Sequence, residues 1–230
     1  GRMKYRSRWV MLTLYAISPV LVHGTALGRP DHQSLLILLV AIAICSEWSL
    51  QMKAADMAAS TEVSRWAAVT GAAWALAIWV SAYEPLVLFL IVMATVLVMN
   101  GRAVFARNRR AGWMLFVSII AIAFAVERRV PSFAILQRNG HFKEWAGTIG
   151  ELAYVSPMNP VWFNWCGYLL LLTPILIWMN IRTRKGVHGV RALPYVILVA
   201  MYLLTVCQAP WGYFFLLIFA LTLPALLVPI

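Results

Sequence analysis

The sequence predicts an all-α fold, a polytopic transmembrane helical bundle of about eight spans. Three observations carry this. Hydrophobic residues make up 63% of the chain and charged residues only 12%, with a mean hydropathy of +0.81, outside the range of soluble globular domains. Apolar runs recur along the chain on the scale of the about 20 residues that cross a bilayer. The strict alternation of an outer-membrane barrel is missing. The chain reads as one transmembrane domain over residues 1–230, with a long external segment at residues 127–160.

The predicted spans are Trp9–Val22, Ser34–Leu50, Trp66–Ala82, Pro85–Met99, Trp113–Val126, Val161–Met179, Leu193–Cys207 and Gly212–Val228. The third and fourth are joined only by Ser81-Ala82-Tyr83-Glu84-Pro85, a tight helical hairpin or a re-entrant pair. Aromatic residues at segment ends (Trp66, Trp113, Tyr195, Trp211 and Tyr213 among them) fit the interfacial belt of a membrane protein. Cys45, Cys166 and Cys207 lie inside apolar segments without a CxxC spacing and read as packing residues.

Charge orients the spans. The 19 Lys and Arg residues outnumber the 8 Asp and Glu, a net charge of +11. In a membrane protein this balance reflects cytoplasmic loops and anionic lipid, not nucleic acid. Most basic residues fall on alternate connections: Arg2–Arg8, then Lys53 and Arg65, then Arg102, Arg107, Arg109 and Arg110, then Arg182–Arg191. The positive-inside rule places these, and both termini, in the cytoplasm. Asp31, Glu84, Glu127, Glu144 and Glu151 then share the outer face with Arg29, Arg128, Arg129, Arg138 and Lys143. The chain begins at Gly1 rather than Met, which leaves room for an upstream segment.

The stretch His23–Leu36, HGTALGRPDHQSLL, breaks the backbone between two spans and presents Arg29, Asp31 and His32. Such a cluster cannot face lipid hydrocarbon, where unpaired backbone and charge each cost several kcal/mol. A carboxylate and an imidazole side by side in a Gly/Pro turn suit a divalent cation, magnesium or manganese. Asp31 equally suits a helix cap, with His32 at headgroup level. The long outer segment adds Thr148-Ile149-Gly150-Glu151 on the same face as Asp31. Arg128, Arg129 and Arg138 match either the phosphate oxygens of a leaving group or lipid headgroups. Glu84 is either a further acid of an outer cavity or an exposed turn residue. Glu47, inside a span, is expected to hydrogen-bond a neighbouring helix. HExxH, Walker and GxSxG motifs are missing, and the four histidines sit at segment ends or in loops, unsuited to a b-type haem.

Gly28-Arg29-Pro30-Asp31-His32-Gln33, directly before a span, resembles the external G-x-x-D loop of the GT-C class of integral-membrane glycosyltransferases, the oligosaccharyltransferase catalytic subunits in particular. Thr148-Ile149-Gly150-Glu151 is similar to the Thr-Ile-x-Glu motif in a later external loop of the bacterial members. The resemblance implies transfer of a sugar from a polyprenyl phosphate or diphosphate donor at the outer face of a bacterial inner membrane. It implies that Asp31 and Glu151 are catalytic and hold a divalent cation (Mn or Mg) with His32. Arg29, Arg128, Arg129 and Arg138 would then bind the donor phosphate, and Thr148 and Glu84 the acceptor. The chain departs from the family pattern in having four spans rather than six between the motifs, and no first external loop with an acidic pair. The acid from that loop would come from an upstream segment or a partner subunit. The competing reading is a non-enzymatic membrane scaffold or transporter subunit whose outer acids bind lipid or a partner.

Overall fold

A computed structural model describes residues 33–55, 60–128, 166–183, 192–208 and 211–227, together with Thr13 and Ala16. Among them the chain forms α1 (Gln33–Ala55), α2 (Ser60–Val80), α3 (Tyr83–Val104), a 3₁₀ turn (Arg107–Arg109), α4 (Arg110–Glu127), α5 (Leu169–Thr183), α6 (Leu193–Cys207) and α7 (Trp211–Leu227), and no strand. Among the described residues four stretches, Gln33–Met52, Thr61–Val80, Tyr83–Gly101 and Arg107–Glu127, are long and apolar enough to cross a membrane; α5, α6 and α7 are shorter apolar helices.

Helix ends differ from the apolar runs where polar residues favour continuing the helix. α1 runs past Leu50 to Ala55. Gln, Met, Lys and Ala are good helix formers, and Gln51 Nε2 donates back one turn to Glu47 Oε1 at 2.7 Å. α2 begins at Ser60, six residues before the apolar run, with Glu62 in its first turn facing the positive end of the helix dipole. The hairpin between α2 and α3 joins helices of 21 and 22 residues, each about 30 Å long at 1.5 Å per residue, so neither is a re-entrant half-helix. Pro85 sits in the first turn of α3, where its missing N–H costs no helical bond. α3 breaks near its end at Asn100 (φ −155°, ψ 66°).

α4 stops at Arg128, whose left-handed backbone (φ 52°) cannot continue a helix. α5 starts at Leu169, after a turn at Gly167 (φ 57°) that separates it from the helical Cys166. α6 follows the predicted span residue for residue, with Pro194 in its first turn. Residues 161–165 and all of the predicted first span but Thr13 and Ala16 lie outside the described residues.

The core is built on α7. Every residue from Phe214 to Ala220 is buried, as expected of a helix apolar on all sides. Around it pack Leu36, Val40 and Ile44 of α1, Leu88 and Val92 of α3, and Ile197, Leu198 and Met201 of α6. α2 lies between α1 and α4. It meets α4 at backbone distance: a Cβ on Gly71 would lie 2.7 Å from the Gly112 carbonyl carbon, and one on Gly112 would lie 2.8 Å from that of Ala67. Small residues at one-turn spacing let membrane helices approach this way. α4 turns most of its apolar surface outward, with Met114 70% and Val117 62% exposed. A helix of that kind is stable against lipid, not against water.

Trp211 and Tyr195, expected as interfacial anchors, instead turn inward. Trp211 is 1% exposed and donates to Gln208 Oε1 at 3.1 Å, and the buried Tyr195 hydroxyl donates to Asn180 Oδ1 at 3.1 Å. Each keeps a partner for its polar tip, the condition for burying such a ring. Of the three free cysteines only Cys166 is buried; Cys45 and Cys207 face outward.

Candidate functional site

Side-chain bonds sort the helix ends into two groups. At one end, Arg109 pairs with Glu47, Trp113 Nε1 donates to the Val104 carbonyl at 3.0 Å, and Asn180 Nδ2 donates to the Leu226 carbonyl at 2.6 Å. This end joins the C-terminal parts of α1, α3, α5 and α7 to the start of α4 and, through Tyr195, of α6. Arg107, Arg110 and Arg182 are exposed here, so it is the arginine end. At the opposite end, Trp79 Nε1 donates to Glu127 Oε1 at 2.8 Å and the Tyr83 hydroxyl to Gln208 Oε1 at 3.2 Å. The last bond ties the start of α3 to the end of α6, so both halves of the bundle share this polarity.

Two of the sequence-predicted site residues, Glu84 and Arg128, are among the described residues, and both lie at the second end. Glu84 accepts from Ser81 Oγ at 2.6 Å and is half-buried in the α2–α3 turn. Arg128 is exposed at the close of α4, next to Glu127. Arg29, Asp31, His32, Arg129, Arg138, Thr148 and Glu151 lie outside the described residues. Among the described residues no three His, Cys, Asp or Glu side chains gather as metal ligands. Glu84 and Glu127 are engaged by Ser81 and Trp79 and supply no donor set of their own.

The most developed polar constellation among the described residues sits at the arginine end. Glu47 is 0% exposed inside α1. Its Oε1 accepts from both Arg109 Nη2 and Gln51 Nε2. The 3₁₀ turn before α4 makes this possible, because it carries Arg109 inward while Arg107 and Arg110 on either side stay exposed. Thr70 of α2, within hydrogen-bond distance of Ser46 Oγ (3.1 Å) and the Trp66 carbonyl (2.8 Å), adds a polar contact between α1 and α2. Glu47, Thr70, Trp74 and Arg109 line a cavity closed on its apolar side by Phe89, Trp113 and Phe116. Phe89 stacks on Phe116 with centroids 5.1 Å apart and meets Trp74 edge-on at 5.7 Å. The space inside, about 30 Å³, holds a water or two and nothing the size of a sugar or headgroup.

Sequence reasoning expected Glu47 to bond a neighbouring helix but did not single out Arg109 as the partner. The available signal was an acid near one end of a span and an arginine run at the matching end of another. Fold and site together define an integral membrane protein built from apolar helices. Compared with known proteins, the chain matches no family model, no curated protein and no solved structure.

Proposed function

We propose that the chain is a GT-C-like membrane glycosyltransferase, moving a sugar from a polyprenyl (di)phosphate-linked donor to an acceptor at the outer face of a bacterial inner membrane. One observation supports it beyond the motifs. The Glu47–Arg109 pair fixes the C-terminal part of α1 beside the start of α4, so Gln33 and Arg128 both emerge at the opposite, arginine-poor end. The Gly28–His32 motif precedes Gln33 directly, and the segment carrying Thr148–Glu151 follows Arg128. The reading needs both motifs on one face, and this polarity delivers their attachment points there.

On this reading Asp31 and Glu151, with His32, hold a divalent cation, which when bound neutralises charge developing on the leaving phosphate. The arginines Arg29, Arg128, Arg129 and Arg138 hold the phosphate oxygens, and Arg128 is the one whose exposed, helix-terminal position is seen. Glu151, or an acid from an upstream segment or partner subunit, orients the acceptor; Thr148 and Glu84 flank it. The test is sugar transfer by purified protein given a polyprenyl-phosphate donor and manganese. Asp31→Ala abolishes transfer if the reading holds, and transfer unchanged by that substitution refutes it. The scaffold or transporter reading draws on Glu47 and Arg109 as intramembrane charges, and an active, Asp31-dependent protein would set it aside.

A further inference from the structure

Two residues that line the arginine-end cavity, Glu47 and Trp74, each carry a buried polar atom with no hydrogen-bond partner among the described residues, and the two atoms, Oε2 and Nε1, are of opposite kind. Both residues are fully enclosed, Trp74 being 1% exposed. The carboxylate oxygen can only accept and the indole can only donate. Buried polar groups of native proteins are almost always satisfied, by protein or by water. Whatever completes this pair must donate to one atom and accept from the other. A cation would meet the positive ends of the Trp74 indole and the Arg109 guanidinium, and an anion would meet the Glu47 carboxylate. The Glu47–Arg109 pair is already neutral, so neither ion is called for.

We infer that the cavity is a built hydration site, holding one or two waters that donate to Glu47 Oε2 and accept from Trp74 Nε1. Its volume of about 30 Å³ matches that number. Thr70 Oγ1, whose single proton is committed to the Trp66 carbonyl or Ser46, retains lone pairs able to accept from the same water. The waters complete the solvation that the ion pair loses on leaving bulk water. They place a wet point between α1, α2 and α4 inside an otherwise apolar bundle. This assignment is independent of the glycosyltransferase reading.

The test is water-to-indole magnetisation transfer in the ¹⁵N-tryptophan-labelled full chain in detergent micelles, with the indole resonances assigned by through-bond correlation. The Trp211 indole is the internal control, because it is equally buried, lies away from the cavity and has its N–H spent on Gln208 Oε1. The expected result is dipolar transfer from bound water to the Trp74 indole proton at least several-fold above that at Trp211, and independent of pH. Transfer at Trp74 no greater than at Trp211 would overturn the assignment. So would a Trp74 signal that follows the pH dependence of chemical exchange with bulk solvent.

Discussion

Glu47 and Arg109, 62 residues apart in sequence, form a buried ion pair that fastens the C-terminal part of α1 to the turn leading into α4. Gln51 donates to the same carboxylate oxygen, so the acid serves its own helix and the next layer at once. Burial makes the pair asymmetric in its energetics. Removing one member strands the other's charge, whereas removing both leaves an apolar gap that side chains can fill.

That asymmetry is measurable. Glu47→Ala or Arg109→Ala alone is expected to lower stability by about 3–5 kcal/mol, the range for a stranded buried charge. The Glu47→Leu/Arg109→Leu double variant is expected to lose far less than either. Thermal unfolding in detergent, with the four proteins compared side by side, checks both statements. Equal losses for single and double variants would contradict the pair as described.

Backbone contact between α2 and α4 makes a second expectation. Gly112→Ala would push a methyl to 2.8 Å from the Ala67 carbonyl carbon, inside contact distance, with no flexible side chain to give way. The helices must separate, and an overpacking cost of about 1–3 kcal/mol follows. Gly101→Ala, whose new methyl meets only the Leu97 side chain at 3.6 Å, is the control and should be tolerated. Thermal shift of the two variants in the same detergent decides it.

The contrast between these sites and the helices shows where sequence information ends. Helix α6 is visible in hydropathy because Pro194 opens its apolar run and Gln208 closes it, and the same two residues bound the helix. α1 outruns its apolar stretch because Gln51 hydrogen-bonds back to Glu47, a bond that a hydropathy window does not register. Arg109 falls among Arg102, Arg107 and Arg110 as loop charge, and a charge count has no means of telling the buried Arg109 from the exposed Arg107 and Arg110. That distinction comes from the 3₁₀ turn. Ala67, Gly71 and Gly112 carry no chemistry and gain meaning only when two helices are brought together. At the other end, Glu84 is legible as a turn acid from the short connection Ser81–Pro85, and the structure adds its partner Ser81.

Asn180 ties three helices together, reaching the Leu226 carbonyl of α7 and accepting from Tyr195 of α6. Hydrogen bonds between membrane helices contribute about 0.6 kcal/mol each on average. Tyr195→Phe, which loses one, should therefore be mild. Asn180→Leu, which loses both interhelical bonds and leaves the Tyr195 hydroxyl without this acceptor, should cost distinctly more. Unfolding by denaturing detergent gives the ranking, and a Tyr195→Phe loss larger than that of Asn180→Leu would contradict it.

The two-ended polarity of the bundle predicts opposite-side labelling. In a background with Cys45, Cys166 and Cys207 replaced by Ser, Arg107→Cys and Arg128→Cys place thiols at exposed positions on opposite ends. On the proposed orientation in a bacterial inner membrane, a membrane-impermeant maleimide added to intact cells stripped of their outer membrane should label position 128 and spare position 107. Inverted vesicles should reverse the pattern. Labelling of both positions from one side would contradict the assignment of the ends.

The proposed function stands on one convergence, that carboxylates far apart in the sequence share a single cation. Electron paramagnetic resonance of manganese titrated into the full-length protein tests this most directly. The account predicts a bound-manganese spectrum that is lost, with at least a tenfold weaker affinity, in Asp31→Ala and equally in Glu151→Ala, while Glu127→Gln binds as the parent does. Manganese binding that survives both of the first two substitutions would contradict it.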